Sequence, residues 1–170
     1  MLQINFYPES DKKEYIKAAK EYQDIWQKEG PKIIKVIEKY SGLPFKTKII
    51  NALTFEGVSR STPLQLRSSY NSNRKKGALI HELTHRLLID NNFWFPDEKN
   101  FIEELHKVID LILYDIWADL LGKDGAEDNK EVEMNYGNPI YKRAWEWALS
   151  FSKRERSEKF KEMRRKYQRI

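Results

Sequence analysis

The run His81-Glu82-Leu83-Thr84-His85 constrains this chain more than any other stretch of it. Residues four apart on an α-helix lie one above the other on the same face. Two imidazoles at this spacing can therefore address one metal ion, provided the segment is helical. The surroundings argue that it is. Leu79, Ile80, Leu83, Leu87 and Leu88 supply apolar packing around the motif, and Asn71-Ser72-Asn73 just upstream is a turn and cap signal. A helix is predicted from about Arg74 to Asp90.

The residue types fit a hydrolytic metal site. Neutral imidazoles suit zinc, and Glu82 lies beside the ligand face, close to the metal without being bound to it. Zinc brings the pKa of a bound water toward ~7, and an adjacent carboxylate can take its proton as general base. Two histidines do not hold a catalytic zinc, so a third protein ligand is expected. The motif helix continues about five residues past His85, and the chain then restarts a helix near Asp97. If the two helices pack antiparallel at a rise of about 1.5 Å per residue, the level of the metal falls at residues 103–106. That window holds Glu103, Glu104 and His106, the last of only three histidines. His106 is ranked first and Glu103 second. Asp110, one turn beyond His106, is placed to accept an imidazole N–H from outside the metal shell. Glu104 reads as part of an acidic first turn, and Asp115 and Asp119 as surface or structural residues. For the donor that would meet a developing oxyanion, Tyr141 and Arg86 are the candidates.

The remaining chain reads as an α+β domain in the order β-α-β-β-α-α-α. Leu2 to Tyr7 alternates as a strand. Ser10 is a candidate cap for a helix carrying Tyr15, Ala18, Ala19, Tyr22, Ile25 and Trp26, broken at Gly30-Pro31 and resumed through Ile33, Val36, Ile37 and Tyr40. Phe45 to Phe55 and Pro63 to Tyr70 read as strands, the second at an edge. Asp97 caps a helix ending at Gly122. Residues 122–137 look loop-like, and Pro139 to about Tyr167 forms one long basic helix.

Composition narrows the function. The 170 residues fit one domain spanning 1–170, with 40% hydrophobic and 34% charged residues. No apolar run approaches the ~20 residues of a membrane span, so no membrane partner is expected. The first six residues lack the charged and apolar regions of a secretory signal. The absence of cysteine removes disulfides, thiolate ligands and a cysteine nucleophile, and suits a cytoplasmic protein. Residues 153–170 carry nine Lys or Arg against three Glu. Such a stretch can touch nucleic acid, but a solvated helix face is the plainer reading.

The motif helix followed by a second helix with a ligand about 20 residues on resembles the zincin metallopeptidases. Its spacing is most similar to the small, single-domain members of the gluzincin branch. In that branch the second helix carries a Glu ligand followed at i+4 by Asp. Here the corresponding register is His106-x-x-x-Asp110, with His where Glu is usual, and Glu103 restores a Glu only one turn earlier. Histidine serves as third ligand elsewhere among zincins, at a shorter spacing. The resemblance covers about residues 45–121. It implies a zinc-dependent peptidase acting on a peptide or protein, with an edge strand, here Pro63 to Tyr70, beside the metal cleft to pair with an extended substrate. Two other readings stand beside it: a nucleic-acid-associated protein using the basic C-terminal helix, and a structural zinc-binding domain without activity.

Overall fold

A computed structural model describes residues 2–96 and 99–169. It is an α+β structure in which five helices accompany one mixed four-stranded sheet. The strands are β1 (Gln3–Pro8), β2 (Ile49–Phe55), β3 (Arg60–Ser61) and β4 (Leu64–Arg67), in the order β1-β2-β4-β3. The pairs β1–β2 and β2–β4 are parallel, and β3 runs antiparallel to β4. Alternation sets the faces. Ile4, Ile50, Ala52, Thr54, Leu64 and Leu66 are buried, while Tyr7 and Ile49 on the other face are exposed. The segment expected at the edge is instead the inner strand β4. Pro63 lies in the turn before it, where its missing N–H removes no ladder bond, and the two-residue β3 takes the edge.

Helix α1 (Lys13–Ser41) covers the buried face. The Thr54 hydroxyl donates to the Tyr15 carbonyl at 2.9 Å, and the Tyr22 hydroxyl donates to the Arg67 carbonyl at 2.9 Å. The helix passes through Gly30-Pro31 without breaking. Gly30 is buried where a Cβ would stand 2.9 Å from the Trp26 ring, so the glycine serves packing rather than a turn. Ser10 does not cap the helix: Lys12 occupies the N-cap, and the buried Ser10 hydroxyl has no partner among the described residues.

Helix α2 (Ser72–Asp90) is capped by the Asn71 side chain, which accepts from the Arg74 N–H at 2.9 Å. Helix α3 (Phe101–Met134) returns alongside α2; the proposed cap Asp97 lies outside the described residues. At Gly122 the backbone leaves the helix (φ 79°, ψ 170°), as a terminal glycine would. The chain then resumes the helix to Met134, so residues 122–134 are not a loop. Their buried positions, Gly125, Ala126, Asn129 and Glu133, are small or polar. The segment faces inward without an apolar stripe.

The basic C-terminal segment is two helices, α4 (Pro139–Leu149) and α5 (Lys153–Tyr167). Ser152 and Glu155 form a capping box that starts α5 afresh. Several of its cations have partners within the chain. Arg156 reaches Asp115 at 2.9 Å, Lys159 pairs with Glu162, Lys161 with Glu158, and Arg164 donates to the Gly42 carbonyl. Among the described residues no helix is long and apolar enough to cross a membrane.

Candidate metal centre

Packing fixes how α2 presents its polar residues. Leu79, Ile80, Leu83 and Leu87 are fully buried; each such burial is worth roughly 1.5–3 kcal/mol, enough to hold the helix at one rotation. On the complementary stripe Ala78, His81, Glu82 and His85 line a cleft of about 350 Å³. The second half of α3 also approaches closely, because a Cβ on Gly77 would lie 2.0 Å from the Asn129 amide oxygen. The Trp117 indole N–H donates to the Gly77 carbonyl at 3.1 Å and ties the two helices at that level.

His81, His85 and His106 come together in the cleft, each offering a ring nitrogen, with these atoms within 4.8 Å of one another. His81 Nε2 and His85 Nε2 are 2.8 Å apart. The His106 ring stands edge-on to both, with centroids 5.6 and 5.0 Å away. Hydrogen bonds select the free nitrogens. His106 Nδ1–H donates to the Ile102 carbonyl at 2.8 Å, and His81 Nδ1–H donates to Glu133 Oε1 at 2.6 Å. Both rings thereby turn an Nε2 lone pair inward. Two imidazole nitrogens facing each other at 2.8 Å attract only with a proton or a cation between them. A hydrogen-bonding proton serves at that distance, and a buried set of three convergent nitrogen donors is also one that could hold a metal ion.

The electrostatics favour neutral ligands at two of the three positions. Burial pushes His85 well below the ordinary histidine value, helped by the neighbouring histidines, and brings His106 down to about 4. Burial acts the same way on His81, but Glu133 outweighs it and raises that group. Glu82 lines the same cleft. Burial, reinforced by the charge of Glu133, pushes its carboxyl up to about 7, against the pull of His81 and Arg74.

Glu133, 52 residues from His81, has no counterpart in the sequence reading. Arg74 donates to Glu133 Oε1 from both terminal nitrogens, at 3.4 and 3.3 Å, and to Asn129 Oδ1 at 2.8 Å. The Trp145 indole N–H reaches Glu133 Oε2 at 3.3 Å. Burial disfavours a charge on Glu133, yet His81 and Arg74 hold its pKa below the usual value. Only the helical continuation past Gly122, with Asn129 and Glu133 at i,i+4, could have pointed to it.

Asp110 does not take the role expected of it. It is fully buried, and neither carboxylate oxygen has a hydrogen-bond partner among the described residues. Helical side chains lean toward the N-terminus, so His106 reaches back to the Ile102 carbonyl instead of forward to Asp110. Glu103 is held outside the cleft by Lys107 at 3.1 Å and Arg143 at 2.5 Å. Glu104 accepts from the Tyr167 hydroxyl at 2.8 Å. Arg86 donates to the Ser61 carbonyl and Thr62 hydroxyl, each at 3.2 Å, tying α2 to the edge strand. Tyr141 does line the cleft, its ring edge-on against His106 with centroids 4.7 Å apart.

Comparison of the chain with protein-family models, with curated proteins and with solved structures gives no match.

Proposed function

We propose that the chain is a zinc-dependent metallopeptidase of zincin type, with histidine as the third ligand. The observation that carries this reading is the meeting of three imidazoles and the buried Glu82 on one cleft. His81, His85 and His106 would hold the ion. When bound, zinc supplies a Lewis acid that polarises a carbonyl and acidifies water. Glu82 takes the proton of the water whose oxygen attacks the carbonyl carbon. The same carboxyl then gives a proton to the departing nitrogen as the C–N bond breaks, leaving a carboxylic acid and an amine. Glu133, itself held by Arg74 and Trp145, fixes the His81 ring. Tyr141, from α4, is the candidate donor toward the carbonyl oxygen.

A structural zinc site would use the same histidines. It would not need an unligated carboxylate lining an open cleft beside them, and that observation favours chemistry. The test is elemental analysis of protein purified without chelator, paired with a peptide-hydrolysis assay. About one zinc per chain is expected, with hydrolysis lost on chelation and restored by zinc. No stoichiometric metal, and none taken up on addition, would overturn the reading.

A further inference from the structure

The cleft changes character along α2. Toward the helix start, Arg74, Tyr136 and Glu133 make it polar. Beyond His85 the lining supplied by α2, the loop after it and α3 is Leu88, Ile89, Phe93, Phe95, Phe101 and Leu105, while the polar segment around β3, joined to Arg86 through Ser61 and Thr62, borders the cleft as well. None of these six carries a polar side chain. Ile89 and Phe101 are 52% and 42% exposed. Apolar surface thus stays in water beside the metal-binding histidines, in the same cavity.

This end of the cleft is also held in shape. Phe95 is buried and packs against Tyr167 at a tilt of 38°, with centroids 4.5 Å apart, and edge-on against Phe101 at 5.8 Å. Tyr167 is fixed by its hydroxyl on Glu104 and by its carbonyl, which accepts from the Trp94 N–H at 2.8 Å. A bridge between Phe93 and Gln168 closes the arrangement. The end of α5 therefore pins the aromatic loop, and the pocket exists before anything enters it, as small-ligand pockets usually do.

Resting on the peptidase reading, we infer that this apolar end is a specificity pocket for one bulky aromatic or branched aliphatic side chain of the substrate polypeptide. Its position argues for that occupant. The pocket opens directly onto the three histidines, so a chain whose scissile carbonyl lies at the metal delivers a neighbouring side chain to Leu88, Phe101 and Leu105. Full burial of such a side chain corresponds to roughly a tenfold or greater preference over a small polar one.

The experiment separates the pocket from the chemistry. Methyl-labelled leucine spectra of the full chain carrying Glu82→Gln are followed while N-acetyl-phenylalaninamide or N-acetyl-serinamide is added. The expected result is a saturable shift of the Leu88 and Leu105 methyls with the phenylalanine compound, at least tenfold weaker with serine. It should be suppressed by Phe101→Asp, a change at an exposed position. No shift with phenylalanine, an equal response to serine, or indifference to Phe101→Asp would overturn the inference. Selective binding without any zinc-dependent hydrolysis would refute the peptidase and keep the pocket; zinc-dependent hydrolysis without selective binding would do the reverse.

Discussion

Glu133 Oε1 lies 2.6 Å from His81 Nδ1, so the second half of α3 reaches back to orient the first histidine of the motif helix. A carboxylate in this position fixes the tautomer and raises the basicity of the imidazole. Glu133→Gln keeps an acceptor but loses the charge, and should weaken zinc binding about tenfold; Glu133→Ala should approach 100-fold. Chelator competition at fixed pH measures both. Glu133→Ala also removes the carboxylate partner of the mostly buried Arg74, which keeps its bond to Asn129, a defect of up to about 3–5 kcal/mol, so a thermal melt must accompany it. A folded alanine variant with parental zinc affinity would show that Glu133 does not orient the ligand.

Glu82→Gln should leave zinc content unchanged and lower peptide hydrolysis by about 10²–10⁴-fold. Glutamine keeps the size and a hydrogen-bonding oxygen but cannot accept the attacking water's proton. The check is a turnover assay on one verified peptide, with metal content measured on the same samples. Parental turnover in the variant would remove Glu82 as the base.

The legible part of the site was the part written in one helix. His81, Glu82 and His85 share a helix face by spacing, helix rise narrows the third position to residues 103–106, and His106 stands out there as the last of three histidines with Asp110 one turn on. Glu133 was hidden because its segment buries glycine, alanine, asparagine and glutamate, leaving no apolar period to mark a helix. The fold shows the same division. β1 and α2 carry strong alternation or capping signals and lie close to where those signals place them. Gly30-Pro31 looked like a break, but the glycine there admits the Trp26 ring, a contact between residues that sequence adjacency cannot reveal. The capping box at Ser152 was readable as a helix start, yet the basic run from 139 to 167 masked it.

The third ligand separates by mutation. His106→Ala should strip most of the zinc, because its ring nitrogen is one of three that converge. Glu103→Ala should leave zinc binding unchanged, since Glu103 sits in ion pairs with Lys107 and Arg143. Metal analysis after dialysis distinguishes them. Retention of zinc by His106→Ala together with loss in Glu103→Ala would reassign the ligand to the glutamate.

Asp110 should act on stability rather than on metal. It is fully buried without a hydrogen-bond partner among the described residues, and burial, with Glu133 nearby, pushes its carboxyl well above the usual range. A carboxyl whose folded pKa exceeds its unfolded value of about 3.9 carries no penalty below that pH. Above it, the unfolded chain releases a proton that the folded chain retains, so the fold loses stability as pH climbs toward the folded pKa. Asp110→Asn removes that titration. The variant's stability relative to the parent should therefore improve steadily from about pH 4 upward. Groups that do not interact with residue 110 titrate alike in both proteins and cancel in the difference. Denaturant unfolding at a series of pH values measures it, and zinc affinity should stay near the parental level because His106 is oriented by the Ile102 carbonyl. A pH-independent difference between the two proteins would mean that Asp110 titrates alike in the folded and unfolded chain, a relative loss by the variant as pH rises would mean that a partner holds it ionised, and a tenfold or larger loss of zinc affinity would return it to the task of orienting His106.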